Sequence, residues 1–416
     1  MKYRESPMNR TWLRRGGGAV AGRGDISQPT ELRQGVTDSD QVRRGEGGKA
    51  VDNSLGADQA AQPDSSARAP EAQGARQDKK ARVESLDIIR AILIIFVVYA
   101  HLVEPFATRD PMFQAVYSAL SVFGLPLFVM VSGILAKPLL GDTDYRKMFA
   151  KLLLPLVCLQ PFYLIIFWRI GGDPVRHILD PQWLLWFLLS LCLWRIMLPL
   201  FLRIPMPLLV AVGITLAAGY AEYIGGDLSL GRTLYYFPFF LAAYLWRDRL
   251  PRWVARARLF WALVFILLMA GVMLWSLHGL SPAVVYAALG YDKGTVWKSF
   301  PALGRLGFLL MSALGALSWW AIMPRKSKWL VRLGRRTLTI LALHGFVVLV
   351  CVKLFHMAGW TASPSLALFP VLLVIAVAIA WAVSLFDGPF NRFFDWLAAR
   401  LSRLVPYREQ PRAHSG

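Results

Sequence analysis

The sequence predicts an all-α polytopic membrane protein with about ten transmembrane helices. Apolar residues make up 56% of the 416 and charged residues only 17%, and mean hydropathy is +0.45, a balance that soluble globular domains do not carry. The apolar residues are also gathered into separate runs near the roughly 20 residues that a helix needs to cross hydrocarbon. Net charge is +20, and its position matters more than its size: residues 1–85 hold 15 basic and 12 acidic residues, leaving 31 against 14 for the rest. The excess therefore lies between the apolar runs, where it sets orientation in a bilayer. No soluble basic face with interleaved aromatics occurs, so no nucleic-acid partner is expected despite a pI of 10.2.

Residues 1–84 are rich in Gly, Gln, Ser, Asp and Arg and predict a disordered, polar, basic cytoplasmic tail. Its opening, MKYRESPMNRTWLRRGGG, lacks the apolar core of a secretory signal peptide, so the chain is expected to start on the side where it is made. The transmembrane domain is placed at 85–390, with apolar segments near 87–107, 112–136, 148–169, 183–202, 206–224, 233–246, 259–277, 301–323, 336–355 and 366–386. Pro238 interrupts the short sixth segment. Residues 391–416 form a basic cytoplasmic C-terminal tail.

The loops alternate in composition. One set carries Arg146, Lys147 and Lys151, then Arg203, then five arginines from Arg247 to Arg258, then six basic residues from Arg325 to Arg336. The other set mixes Arg109 with Asp110, Arg176 with Asp173 and Asp180, and Asp292 with Lys293. The basic set is cytoplasmic by the positive-inside rule, which puts both termini there. Cys158, Cys192 and Cys351 stand singly in apolar stretches, so neither a disulfide framework nor a metal site is expected.

Ionisable groups inside spans are costly and mark function. The first span, LDIIRAILIIFVVYAHLVEPF, carries Asp87, Arg90, His101 and Glu104. Arg90 and His101 lie eleven residues apart, close to three helical turns, on one face and about 16 Å from each other. Glu104 follows one turn later, where a carboxylate holds an imidazole in one tautomer. Each residue alone has an ordinary explanation: a snorkelling arginine, a packed histidine, an interfacial glutamate. Together on one stripe, His101, Arg90 and Glu104 are candidate catalytic residues, with His the usual general base near neutral pH.

Five blocks extend this pattern in order: LDIIRAILIIFVVYAH at the first span, LPLFVMVSGILAKP at 125–138, LLWFLLSLCLWRI at 184–196, RTLYYFPFFLAAYL at 232–245 and LGRRTLTILALHGFVV at 333–348. Over roughly residues 83–390 the sequence resembles the integral-membrane acyltransferases of the acyltransferase 3 type, most closely the sugar O-acetylases of bacterial polysaccharides and lipid-linked glycans. The resemblance implies a bacterial inner-membrane O-acyltransferase that moves an acyl group, usually acetyl, from cytosolic acyl-CoA to a sugar hydroxyl of an envelope or exported glycan. It needs no bound cofactor, acyl-CoA being the donor substrate. It implies that His101 acts as base and that Arg90 binds a CoA phosphate or an oxygen near the thioester. Arg146, Lys147 and Lys151 would add charge at the cytoplasmic mouth, and Trp186 would line the acyl channel. His344 matches a family position, with a structural hydrogen bond as its competing explanation. Direct attack and an acyl-His intermediate both remain open. The sequence departs from the family at Ala91, where a Gly commonly follows the Arg, and at YRKMFAKLLLP, where two arginines three apart are common.

Two other classes compete with this reading. A multi-span transporter or exporter of a glycan or acidic metabolite would also carry buried charges; it would move substrate without consuming acyl-CoA. A membrane scaffold would tolerate loss of His101 and Arg90. The glycerolipid acyltransferase pattern, a His followed four residues later by Asp, is absent: His101 is followed by Leu102, Val103, Glu104, Pro105 and Phe106.

Overall fold

In an apolar surround a backbone must satisfy its own polar groups, and long runs of Leu, Val, Ile and Phe do so as helices. The structure is a computed structural model describing residues 65–138, 141–169, 179–182, 184–221, 227–280, 284–285, 290–291, 296–361 and 364–404. The described residues are helical and contain no strand: α1 (Ser65–Ala107), α2 (Pro111–Ile134), α3 (Asp142–Met148), α4 (Leu154–Arg169), α5 (Leu185–Phe201), α6 (Pro207–Ala218), α7 (Leu230–Leu245), α8 (Leu250–Arg256), α9 (Arg258–Leu277), α10 (Pro301–Ile322), α11 (Lys328–Arg335), α12 (Thr337–Met357), α13 (Leu368–Ser384) and α14 (Asp387–Leu404).

Each of the ten apolar segments contains one of these helices, but not all reach full length. Among the described residues six stretches are long and apolar enough to cross a membrane, and the pair α13 and α14, bent by 47°, makes a seventh if read as one broken span. The helices α5, α6 and α7 have 17, 12 and 16 residues. Proline explains part of this shortening: Pro207 starts α6 one residue after Met206, which holds a left-handed φ of 51°, and Pro199 and Pro238 fall inside α5 and α7.

Local chemistry places the other boundaries. Asp110 caps α2, its carboxylate accepting from the N–H groups of Met112 (2.8 Å) and Phe113 (3.2 Å), with Pro111 in the first turn. Between α3 and α4 the chain runs as a π-helix over Phe149–Leu153, closed by a bond from Leu154 N–H to the Phe149 carbonyl. Pro155 cannot donate to the Lys151 carbonyl four residues back, and the wider turn accommodates its ring.

Hydrogen bonds and ion pairs between loops sort them into two ends. At one end Arg82 bonds Asp248 (2.7 Å), Arg258 reaches the Ile322 carbonyl (3.0 Å), Lys151 pairs with Asp395 (2.7 Å) and Arg335 with Asp87 (3.3 Å). At the other, Arg109 donates to the Thr361 carbonyl, Tyr291 N–H to the Gly219 carbonyl and Leu228 N–H to the Leu179 carbonyl. This division into a basic end and a mixed end follows the alternating loop compositions, while the helices long enough to span between them number six, or seven with the bent pair, among the described residues against the ten expected.

Two boundaries differ from the sequence reading. The first helix begins at Ser65, inside the stretch for which composition predicts no order; Ala, Arg, Gln, Glu and Lys dominate residues 68–84, and these are strong helix formers. Residues 1–64 lie outside the described residues. The C-terminal tail expected from residue 391 is, as far as Leu404, part of α14, whose Phe390 and Phe394 pack on Leu154 and Ala342.

The bundle is centred on α1 and α2, whose most apolar windows are 67% and 72% buried against 11% for α9. Small residues allow that density. A Cβ at Gly133 would collide with the backbone carbonyl of Phe240 on α7, and one at Gly334 with the carbonyl of Asp87 on α1. The span that carries the candidate catalytic residues is thus one of the two most enclosed by others.

Candidate active site

Two polar groups interrupt the apolar interior of α1, one near each half of the span. In the first, His101 Nδ1 lies 3.2 Å from Glu104 Oε2, the geometry that spacing of three in a helix produces. A carboxylate accepts, so Nδ1 carries the proton and the imidazole's basic lone pair falls on Nε2. The side chains are 21% and 35% exposed.

His344 of α12 faces this pair. Its ring centroid is 6.0 Å from that of His101, with the planes inclined at 39°. The residue is fully buried, and its Nδ1 donates to the Ile340 carbonyl one turn back (2.7 Å). That bond leaves Nε2 as an acceptor, and no hydrogen-bond partner occupies it among the described residues. An unmatched buried acceptor is costly and uncommon, so a purely structural role accounts for only one of the two ring nitrogens.

The second group surrounds Asp87, which is 5% exposed. Its Oδ1 accepts from Arg90 Nη1 (3.2 Å) and its Oδ2 from Arg335 Nε of α11 (3.3 Å). Arg335 also approaches Glu84 (3.9 Å). Gly334 makes this possible, because only a residue without a side chain lets α11 lie on the α1 backbone there. Arg195 of α5 lies close enough to Arg90 for the two charges to interact, and the carboxylate whose charge reaches Arg195 is Asp144 of α3. Asp87 is shared between Arg90 and Arg335, and Arg195 adds a further positive charge near Arg90, an excess of positive charge that forms a place for an anion.

The remaining expected residues separate. Arg146 and Lys147 are exposed on α3, at the basic end. Lys151 pairs with Asp395 and bonds Asn391 Oδ1 (3.0 Å), which ties α14 to the start of α4. Trp186 stands at the opposite end of the bundle, 6% exposed, stacked on Tyr236 at 5.8 Å with Arg232 5.3 Å above its ring. The structure therefore brings Asp87 to Arg90, and Glu104 and His344 to His101, but does not bring Trp186 to the basic mouth. Arg335 escaped the sequence reading because it counted only toward loop charge; the adjacent Gly was the available signal. The half-buried Arg305, whose partners no sequence pattern names, lies 4.3 Å from the Tyr291 ring and bonds the Thr215 carbonyl (3.4 Å).

Compared with known families, residues 83–385 match the model described as an acyltransferase domain. No curated protein and no solved structure matches the chain.

Proposed function

The chain belongs to the acyltransferase domain family, and from that premise we propose that it moves an acyl group, acetyl in the first instance, from cytosolic acyl-CoA to a sugar hydroxyl of an envelope or exported glycan. The basic end of the bundle faces the cytoplasm in this reading, in a bacterial inner membrane with both termini inside. The observation that carries it is the contact of His101 with Glu104 in a span at the centre of the bundle, with a second imidazole 6.0 Å away.

The chemistry fits these positions. His101 Nε2 takes the proton of the acceptor hydroxyl as its oxygen attacks the thioester carbonyl. The tetrahedral adduct collapses with cleavage of the C–S bond, the new ester stays on the sugar, and the imidazolium returns its proton to the leaving thiolate, releasing CoA as thiol. Glu104 holds the tautomer and stabilises the transient imidazolium. The acceptor lone pair of His344 Nε2 takes a hydrogen bond from a neighbouring hydroxyl of the sugar, because the single proton of the attacking hydroxyl is committed to His101.

Arg90 lies about three turns, roughly 16 Å, from His101, a separation that an extended pantetheine arm covers. That favours a CoA phosphate over the thioester oxygen as its ligand, with Arg195 as the second cation. Arg146 and Lys147 attract the anion at the mouth, and Lys151 serves the fold of that mouth through α14.

The test is transfer of label from radioactive acetyl-CoA into envelope glycan in membranes containing the wild-type protein, compared with membranes lacking it. Label in the glycan is expected. No label with either acetyl- or succinyl-CoA, together with glycan movement that consumes no acyl-CoA, would replace this reading by the transporter.

A further inference from the structure

A groove of about 520 Å³ opens on the outside of the bundle, away from the site above. It is lined by Trp329 of α11 and by Leu373, Val374, Val377, Ala378 and Trp381 of α13. The α13 residues recur at spacings of three and four, one stripe of the helix, and Val374 and Trp381 are 69% and 52% exposed. An open apolar groove of this size between two tryptophans falls within the volumes that hold a ligand.

What caps it is charged. On α11, Lys328 precedes Trp329, and Arg332 lies one turn beyond; both are exposed. Arg336, next in the chain, donates to the Ser384 carbonyl (3.3 Å) at the end of α13, one turn past Trp381. The local carboxylates, Glu84 and Asp87, are engaged by Arg335, and among the described residues none pairs with Lys328 or Arg332. Tryptophans at this level and cations just beyond it match the two parts of a lipid, an acyl chain and an anionic headgroup at the interface.

We infer that this groove holds one anionic phospholipid of the leaflet at the basic end, its acyl chain between Trp329 and Trp381 and its phosphate on Lys328 and Arg332. Apolar lining alone would accept any lipid; the two uncommitted cations select the anionic one. Because α11 also carries Arg335, the bound lipid lies against the same short helix that holds Asp87.

Native mass spectrometry of the full-length detergent-solubilised protein, titrated with palmitoyl-oleoyl phosphatidylglycerol or the matching phosphatidylcholine, tests this. One retained phosphatidylglycerol is expected, preferred over phosphatidylcholine by on the order of tenfold. The double variant Lys328→Glu/Arg332→Glu should bring the two lipids to parity. Ala378→Trp, which fills an exposed part of the groove, should remove the retained lipid, and the milder Ala378→Leu should weaken it should the larger residue disturb folding. Equal retention of the two lipids by the wild type, retention unchanged in both Ala378 variants, or a protein dimer that Ala378→Trp splits would overturn the proposal.

Discussion

The imidazole of His101 on α1 lies 6.0 Å from that of His344 on α12, and the second ring has one nitrogen committed to its own helix and one without a hydrogen-bond partner among the described residues. Replacing His344 by Phe keeps an aromatic ring of similar shape and deletes only a bond local to α12. Stability should change by less than about 1 kcal/mol, because one such bond contributes little net. Acyl transfer should fall by on the order of tenfold or more. Thermal melting and label transfer on the same preparation check both; equal activity at equal stability would return His344 to a packing role.

Glu104→Gln removes the carboxylate and leaves an amide in the same volume. The tautomer of His101 is then no longer held, so kcat should fall while KM for acyl-CoA stays unchanged, since Glu104 lies about 20 Å along α1 from Arg90. Steady-state kinetics with varied acyl-CoA separate the two parameters. A rise in KM alone would place Glu104 in donor binding instead.

Arg195→Ala should do the reverse. The charge of Arg195 interacts with that of Arg90 and, among the carboxylates, with that of Asp144. Losing one charged hydrogen bond to a phosphate should raise KM for acyl-CoA by about tenfold with kcat kept, and Arg195→Lys should restore part of it. Binding of CoA itself, followed by calorimetry, gives a readout independent of turnover.

Gly334→Ala tests how the cation cluster is built. The new methyl would meet the Asp87 carbonyl, α11 would shift outward, and overpacking at that contact should destabilise the protein by about 1–3 kcal/mol. Because the shift carries Arg335 away from Asp87, weaker acyl-CoA binding should accompany the lower melting temperature. Normal melting with normal binding would show that α11 is not held by this contact.

Much of this arrangement was legible in the sequence. Hydropathy reports which backbone must satisfy itself, so the apolar segments from 87–107 to 366–386 all contain helices, and the contact of His101 with Glu104 follows from a spacing of three on one helix. Contacts between distant parts of the chain were not legible. Asp87 meets Arg335 across 248 positions, and Lys151, which by charge alone belongs with a phosphate, is taken by Asp395 of α14. Trp186 shares a block with the family's fourth helix yet packs at the end opposite the basic mouth. Composition also hid the helix from Ser65, since a lack of apolar residues predicts exposure and says little about backbone conformation.

The central claim is that His101 is the general base of an acyl transfer. The most direct measurement is release of CoA thiol coupled to label transfer by purified protein in vesicles, comparing wild type with His101→Ala at equal incorporation. The account predicts a fall in both by on the order of a hundredfold or more, with binding of CoA retained. Transfer and thiol release that persist at the wild-type rate in His101→Ala would contradict it.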